Sequence, residues 1–307
     1  MEYVLRTFGL CKKYKSKKAV DDACMSIRKG DIYGFVGENG SGKTTLIRLI
    51  TGLIHADAGH FELFGTKSTD SAISLARRKL GAIVESPSVY RNMSARDNLR
   101  LQASLLGITD GEKIENALRC VGLSYLADEK KKAGDFSLGM RQRLGIAMAL
   151  LGDPEFIILD EPMNGLDPAG IVEIRELILR LNRENGITFL ISSHILTELA
   201  LVATRYGIIS RGHIIEEISS DELHGKFGRF VLIRAENTEK LLADVRELLP
   251  QNEITLDGER VRISGELELN SFLGGIIERG NRILEVNCTE TSFEQYYLAV
   301  TGGTKNA

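Results

Sequence analysis

Closely spaced glycines, a lysine and a threonine near residue 40 form a pattern that could bind the phosphates of a nucleotide. Glycines allow backbone conformations in which successive N–H groups converge on one anion. Lys43 can reach the outer phosphates, and the Thr44 hydroxyl is placed to ligate Mg²⁺. The pattern therefore predicts a phosphate-binding loop for a nucleoside triphosphate and its metal. Its predicted nucleotide-binding residues are Gly37, Asn39, Gly40, Ser41, Gly42, Lys43, Thr44 and Thr45.

Two adjacent acidic residues later in the chain could supply a metal ligand and a general base. Asp160 and Glu161 directly follow the apolar run 156–159. We expect Asp160 to hold the metal and Glu161 to polarise a water for attack on the γ-phosphate. His194 follows another apolar run, 187–191, and is predicted to contact the γ-phosphate and to help hold that water. The alternative is that these side chains only cap a strand or a helix.

The surrounding sequence predicts the elements that must position these side chains. Residues 31–36 are predicted to form a buried strand, and residues 46–53 carry apolar side chains at helical spacing. The loop thus lies between a strand and a helix, as phosphate binding requires. Four consecutive apolar residues at 156–159 are typical of a strand that is covered on both faces of a parallel sheet. A mostly helical stretch interrupts this α/β pattern and is interpreted as a helical subdomain at about 86–151.

Towards the C-terminus the pattern changes to short strands and helices. Their order is strand, helix, strand, strand, helix, strand, with a hairpin signal at Asp257-Gly258. This order favours a ferredoxin-like α+β module over residues 228–307, after a nucleotide-binding domain over residues 1–220. A last helix is predicted from Ser292 to Val300. The module contains no ligand motif, and regulation, dimer stabilisation and simple packing stay open as its roles.

The bulk properties describe an ordinary globular protein of 307 residues, with 43% hydrophobic and 26% charged residues. A net charge of −3 gives no electrostatic footprint for nucleic acid, so we expect no nucleic-acid partner. The sequence has no apolar run of the roughly 18 residues that a spanning helix needs. Four scattered cysteines without a C-x-x-C pair favour reduced thiols, and hence the cytoplasm.

Five segments, in this order along the chain, resemble the motifs of the ATP-binding cassette (ABC) family. The Walker A motif is matched by GENGSGKTT, the signature segment with its helix by FSLGMRQRLGIA, the Walker B motif with its catalytic glutamate by FIILDEP, the D-loop by NGLDP and the switch histidine by SSH. The resemblance covers roughly residues 3–216. It implies a P-loop NTPase fold with a RecA-like core and a helical subdomain, and ATP and Mg²⁺ as cofactors.

The resemblance also implies a head-to-tail homodimer that forms with ATP. Each ATP would lie between the phosphate-binding loop of one subunit and the signature segment of the other. There Ser137 and Gly139 would contact the γ-phosphate. Tyr14, predicted on a polar loop, matches the aromatic residue that stacks on adenine, and Asp167 matches the D-loop aspartate that faces the partner's site.

Three positions depart from the usual family pattern. In the signature segment, Leu138 replaces a glycine and Met140 replaces a glutamine. Glu85 stands where most members have a glutamine that ligates Mg²⁺ and senses the permease, and we expect it to be a third metal ligand. This glutamate, the residues after it and the C-terminal extension resemble the bacitracin and lantibiotic exporter branch. The resemblance to that branch favours an antimicrobial peptide as cargo, while other cargoes stay open because the branch also contains exporters of uncertain cargo.

A separate membrane permease is the partner that the resemblance implies. The segment after Glu85 matches the groove that receives a permease coupling helix. Tyr90 and Met93, with Asn92 and Arg96, suit such a docking pocket. Ordinary loop and helix-cap packing is the alternative there. The chain would then lie on the inner face of the cell membrane as a peripheral protein.

Three functions are compatible with these features. The first is the ATP-hydrolysing subunit of a bacterial ABC exporter. The second is a cassette ATPase that acts on ribosomes or DNA without transport; such proteins generally carry two cassettes or a long coiled-coil insertion. The third is a nucleotide sensor without turnover, which the intact Asp160, Glu161 and His194 disfavour. The single phosphate-binding loop and the absence of a basic face favour the first function.

Overall fold

The computed structural model divides the chain into two compact units, Met1–Ser220 and Asp221–Ala307. The residues that it describes are 2–127, 129–226, 229–265, 267–290 and 293–302. The first unit contains two sheets and a block of helices, and the second contains one sheet with its own helices. Among the described residues, none of the helices combines the length and the apolar character that crossing a membrane requires.

The first unit is built around a six-stranded sheet with the order β10-β9-β3-β8-β7-β6. Its five strands from β9 to β6 run parallel, and β10 pairs antiparallel at one edge. The apolar strands β3 and β7 are buried along their whole length, as expected for a sheet covered on both faces. The strands of this sheet are β3 Ile32–Val36, β6 Leu80–Ile83, β7 Phe156–Asp160, β8 Thr188–Ser193, β9 Arg205–Ser210 and β10 His213–Ser219.

A second, antiparallel sheet in the same unit has the order β2-β1-β4-β5. Its strands are β1 Tyr3–Tyr14, β2 Lys17–Arg28, β4 Ala58–Leu63 and β5 Thr66–Lys67. The hairpin of β1 and β2 contains several register shifts, so the apolar alternation in its sequence is irregular. Because β1 extends to Tyr14, this residue ends a strand, and the prediction that it lies on a loop is wrong.

Several helices of the first unit begin at a residue whose side chain caps them. Asp167 accepts a hydrogen bond from the Gly170 N–H at 3.0 Å and is followed by Pro168, which starts the longest helix. Ser94 caps another helix by accepting from the Asp97 N–H. The helices are α1 Lys43–Thr51, α2 Ile73–Arg77, α3 Ala95–Leu105, α4 Gly111–Cys120, α5 Leu138–Leu150, α6 Pro168–Asn185 and α7 Leu196–Ala200.

The second unit contains a four-stranded antiparallel sheet with the order β12-β13-β11-β14. This is the strand order of a ferredoxin-like fold, which the sequence predicts. Its core is apolar, with Ile233, Val261 and Ile263 inaccessible to solvent. The strands are β11 Arg229–Ala235, β12 Glu253–Asp257, β13 Arg260–Ser264 and β14 Ile283–Glu290, and the helices are α8 Ser220–Lys226, α9 Thr238–Leu248, α10 Leu269–Glu278 and α11 Phe293–Thr301.

Two predicted boundaries fall on residues outside those that the structure describes. One is residue 228, the predicted start of the C-terminal domain, and the other is Ser292, the predicted start of the last helix. The described part of that helix is α11.

Candidate active site

The predicted catalytic side chains follow strands that end at one edge of the central sheet. β8 lies between β3 and β7, with Val36 opposite Ser193. On its other side, Asp160 lies opposite Ser192. Since parallel strands point the same way, the residues that follow each strand gather at one edge. This edge therefore receives the phosphate-binding loop, the two acidic residues and His194.

The glycines of the loop are required by close backbone contacts. A Cβ atom on Gly37 would lie 2.5 Å from the Ser41 Oγ atom and 2.6 Å from the Ile209 carbonyl oxygen. Gly42 has a φ of 116°, and a Cβ there would lie 2.4 Å from the Ala19 carbonyl oxygen. No other residue type fits these two positions without a shift of the backbone. Close contacts with β9 and β2 therefore determine the conformation of the phosphate-binding loop.

A bound phosphate would supply a hydrogen-bond partner to polar groups of the loop and of the start of α1. The Ser41 hydroxyl oxygen is buried and has no hydrogen-bond partner among the described residues. Helix α1 starts directly after Gly42 without a side-chain cap, so its first N–H groups are available. An anion at a helix N-terminus satisfies such groups and is favoured by the helix dipole. The tip of the loop, Glu38 to Gly40, is exposed.

Lys43 is folded back onto its own loop. Its side chain is only 5% exposed, and its Nζ atom donates hydrogen bonds to the carbonyl oxygens of Gly37 at 2.5 Å and Glu38 at 3.2 Å. The same ammonium lies 3.5 Å from Oε1 of Glu161. Phosphate oxygens would be further acceptors for this buried cation. The contact also joins the loop to the end of β7.

Thr44 and Asp160, both expected to bind the metal, contact each other directly. The Thr44 hydroxyl donates to Oδ2 of Asp160 at 2.9 Å. Asp160 is 2% exposed, and its other oxygen accepts from the Ser192 hydroxyl at 2.5 Å. Hydroxyl and carboxylate oxygens are the ligands that Mg²⁺ prefers. This pair therefore fits a magnesium ion that is shared with a nucleotide.

Ser192 is a residue of the site that the sequence analysis missed. Besides its bond to Asp160, its hydroxyl oxygen accepts a hydrogen bond from the Glu161 N–H at 2.9 Å. It is completely buried and thus fixes the directions of two adjacent acidic residues. The available signal was its place in the SSH segment, two residues before His194.

Glu161 lies between Lys43 and His194. Its Oε2 atom is 2.8 Å from Nδ1 of His194, while Oε1 faces the lysine. The backbone φ of Glu161 is 51°, a left-handed conformation that costs a non-glycine residue about 1–3 kcal/mol. Strain of this kind persists where the surroundings hold a side chain in a required direction. The arrangement brings together a carboxylate base and two groups that can contact a γ-phosphate.

Glu85, the third predicted metal ligand, takes part in a different contact. Its carboxylate forms an ion pair with the Arg48 guanidinium on α1 and is 61% exposed. The structure thus brings Thr44 and Asp160 together and places Glu85 in a separate pair. Arg48 is a second residue that the sequence analysis did not identify.

Strand β3, which leads into the loop, is anchored by a hydrogen bond between a buried tyrosine and a half-buried glutamate. The Tyr33 hydroxyl donates to Oε1 of Glu217 at 2.9 Å. Burial raises the pKa of Tyr33 well above its ordinary value, and the nearby Glu217 charge raises it further. The tyrosine therefore stays protonated and remains a donor. A Cβ on Gly207 would lie 2.0 Å from this hydroxyl, which explains the glycine on neighbouring β9.

Tyr14, the predicted adenine-stacking residue, is 44% exposed at the end of β1. The Lys12 ammonium lies 5.8 Å from the centre of its ring. The partner strand β2 includes Ala19, whose carbonyl oxygen lies against Gly42 of the loop. An exposed ring on a hairpin that contacts the loop suits stacking on a base.

The signature residues line a cavity together with the segment that matches the D-loop. Ser137 caps α5 by accepting from the Met140 N–H at 3.1 Å. Leu138 is 39% exposed, and a Cβ on Gly165 would lie 3.3 Å from its Cδ2 atom. Leu138 therefore packs on the segment that matches the D-loop. A cavity of about 380 Å³ is lined by both segments, including Ser137, Leu138, Gly139, Gly165, Asp167 and Gly170.

In the segment after Glu85, a buried side chain fixes the backbone while the Tyr90 side chain is exposed. The fully buried side chain of Asn98 accepts from the Tyr90 N–H at 2.7 Å and donates to the Tyr90 carbonyl at 3.1 Å. The Tyr90 side chain is 51% exposed, and Met93 is half-buried. A cavity of about 230 Å³ lies near the start of this segment, lined in part by Ser86, Pro87, Gln102 and Leu106.

Comparisons with known proteins agree with this arrangement. Residues 20–164 match the family model described as ABC transporter. The bacitracin transport ATP-binding protein BcrA of Bacillus licheniformis is 40% identical over 99% of both chains. The lantibiotic transport ATP-binding protein SrtF of Streptococcus pyogenes is 40% identical over 71% of this chain and 92% of its own. A solved nucleotide-free ATP-binding cassette from an ABC transporter is 29% identical, with a TM-score of 0.65, and covers 73% of this chain and 94% of its own.

Proposed function

Because the chain belongs to the ABC transporter family, as an ATP-binding subunit, we propose that it powers export of a bacitracin- or lantibiotic-type antimicrobial peptide through a separate permease. ATP hydrolysis is the activity of this family. The observation that carries the proposal is the cluster of Lys43, Glu161 and His194 beside the Thr44–Asp160 pair. The cargo is proposed from the similarity to BcrA, which extends through the C-terminal unit.

In this proposal, different residues of the site bind the phosphates, the adenine and the metal. Lys43 and the N–H groups at the start of α1 bind the phosphates, and Tyr14 stacks on the adenine. Thr44 and Asp160 hold Mg²⁺, which neutralises charge on the phosphates when it is bound. Ser192 keeps Asp160 in position. The buried Ser41 hydroxyl gains the partner that it lacks among the described residues.

Hydrolysis then requires one water molecule and one base. Glu161 accepts a proton from the water as its oxygen attacks the γ-phosphorus, and the bond from that phosphorus to the bridging oxygen breaks. The products are ADP and inorganic phosphate. His194, 2.8 Å from Glu161, holds the water and the γ-phosphate in line. Lys43 compensates the negative charge on the phosphate oxygens during the transfer.

A head-to-tail homodimer completes each site in this proposal. Ser137 and Gly139 lie on a cavity whose lining contains none of the described loop residues 37–45. They would therefore meet the γ-phosphate that is bound by a second copy, with Asp167 facing the same site. Residues 1–220 would form the nucleotide-binding domain, with a helical subdomain at 86–151, and residues 228–307 the C-terminal domain.

A permease would dock near Glu85, Tyr90 and Met93 and hold the chain at the inner face of the cell membrane. The exposed Tyr90 ring on a backbone fixed by Asn98 supports this location, because rigid exposed aromatic side chains are favourable anchors.

The proposal is tested by purifying the tagged chain from its own cells in mild detergent and identifying co-purifying proteins by mass spectrometry. The expected result is a multi-span permease in near-stoichiometric amount. Cells that carry only a Glu161→Gln chain should become more sensitive to the exported peptide than cells with the unchanged chain. Recovery with ribosomal proteins or DNA, and no permease, would overturn the transport assignment.

A further inference from the structure

The ion pair between Arg48 and Glu85 connects the helix of the phosphate-binding loop with the segment that leaves β6. The guanidinium side chain is 35% exposed and the carboxylate 61% exposed. Ion pairs with this much solvent access are weak, so the carboxylate can exchange one partner for another at small cost. The pair is therefore suited to setting the position and the local charge of the Glu85 side chain rather than to adding stability.

Arg48 lies close to the proposed metal ligands along α1. It follows Thr44 by four residues, and residues with this spacing lie on the same face of a helix. The Thr44 hydroxyl is bonded to Asp160. Arg48 thus lies about one helical turn along α1 from Thr44, one of the two residues that we propose bind Mg²⁺.

The backbone at Glu85 is also strained. Its φ is 65°, and the Ser86 N–H donates to the Val84 carbonyl at 2.8 Å across it. A three-residue turn with positive φ at its centre is rare, and it is costly for a residue with a side chain. β6 ends next to β7, with Ile83 opposite Leu159. The tight turn therefore starts beside the strand that carries Asp160.

We propose that Arg48 is a positioning residue that pairs with Glu85 and compensates its charge beside the proposed nucleotide site. This inference rests on the proposed function, because it assumes that the Thr44–Asp160 pair binds the metal. A glutamine in place of Glu85 would be neutral and could not form this ion pair. The glutamate thus gives the segment a charge-dependent restraint.

The restraint has a measurable consequence for nucleotide binding. Without Arg48, the Glu85 charge is uncompensated near a site that must accept the negative phosphates of ATP. Affinity for metal-free ATP should then fall, and the dependence on Mg²⁺ should become stronger because the free carboxylate attracts the cation. For two unit charges about one helical turn apart in a solvent-exposed setting, the Coulomb energy corresponds to a change in ATP affinity of about threefold or more.

The test is a titration of the purified chain with a fluorescent, non-hydrolysable ATP analogue, without metal and over a range of Mg²⁺ concentrations. Arg48→Met should weaken metal-free binding by about threefold or more and lower the Mg²⁺ midpoint by a similar factor. In a Glu85→Gln background the same substitution should change neither value. Arg6→Met is the matched control, because it removes another arginine–glutamate pair, with Glu62, in the same unit.

The outcomes separate this inference from the proposed function. A folded, unchanged chain that binds no analogue, with or without Mg²⁺, overturns the proposed function. A chain that binds normally but does not respond to Arg48→Met overturns the positioning role alone. Equal effects of Arg48→Met with glutamate and with glutamine at position 85 would also overturn it, since they would show a structural role. Thermal unfolding of each variant verifies that it is folded.

Discussion

The two units of the chain differ in their content of strained backbone and of buried charged residues. All described non-glycine residues with positive φ lie in the first unit, and Glu85 and Glu161 are among them. The buried charged residues Lys43 and Asp160 also belong to this unit. In the second unit the described residues with positive φ are glycines, such as Gly258. Two of these departures from local preference, at Glu85 and Glu161, thus lie on the segments of the candidate site, where function can require them.

The second unit keeps its charges at the surface and its core apolar. Arg260 pairs with Glu285, and Arg279 pairs with Glu247, all with substantial solvent exposure. Exposed pairs of this kind contribute little to stability because solvent screens the charges. The stability of this unit thus depends mainly on its hydrophobic core. The comparison indicates that chemistry belongs to the first unit, and the following changes test that division.

The largest effect is expected from Gly42→Ala in the phosphate-binding loop. The new methyl group would lie 2.4 Å from the Ala19 carbonyl oxygen, at a φ of 116° that alanine rarely adopts. The loop must shift, so ATP affinity should fall by at least about a hundredfold, which corresponds to about 3 kcal/mol. Equilibrium binding of labelled ATP measures the change.

Gly258→Ala in the second unit is the matched control. Its φ is 62° and the space around it is open, so the cost is conformational, about 1 kcal/mol of stability. ATP affinity should stay unchanged. If both variants lowered ATP affinity equally, the division between the units would be wrong.

A loss of stability that is confined to the second unit, with no loss of turnover, is expected from Ile263→Ala. Ile263 is completely buried in the core of the second unit, and its truncation should cost about 2–5 kcal/mol of unfolding free energy there. Denaturant unfolding measures this loss, and a phosphate-release assay at low temperature should show normal turnover. Ile158→Ala, equally buried in the central sheet, should lower both stability and ATP binding. Impaired ATP binding by Ile263→Ala would contradict the comparison.

Ser192→Ala should have the smallest effect of the series. The substitution removes the hydroxyl between Asp160 and the Glu161 N–H, a loss of about 1–1.5 kcal/mol. Turnover should fall about tenfold while ATP binding is retained. Ser264→Ala on β13 serves as the control and should leave turnover intact. A Ser192→Ala chain with normal turnover would remove this residue from the site.

The sequence predicts the phosphate-binding loop, the α/β core and the ferredoxin-like strand order, because each follows from local patterns. Glycine spacing identifies the loop, and apolar runs such as 156–159 identify buried parallel strands. The hairpin of β1 and β2 was missed, since its register shifts break the alternation on which strand prediction depends.

Partners across the sheet could not be predicted in the same way. Ser192 contacts Asp160, 32 residues earlier, and Arg48 pairs with Glu85, 37 residues later. Such contacts depend on strand register and on the path of a strained turn, which single-sequence patterns do not specify. The roles of Tyr14, Ser137 and Gly139 at a nucleotide, and of Glu85 at a metal, stay predictions.

Hydrolysis by the Glu161→Gln chain tests the central claim most directly. ATP binding and phosphate release are measured side by side for the unchanged chain and the variant, with Mg²⁺ present. Our account predicts that the variant binds ATP normally and releases phosphate at least about tenfold more slowly, because the amide cannot accept the proton from water. Normal ATP binding together with phosphate release at the unchanged rate would contradict it.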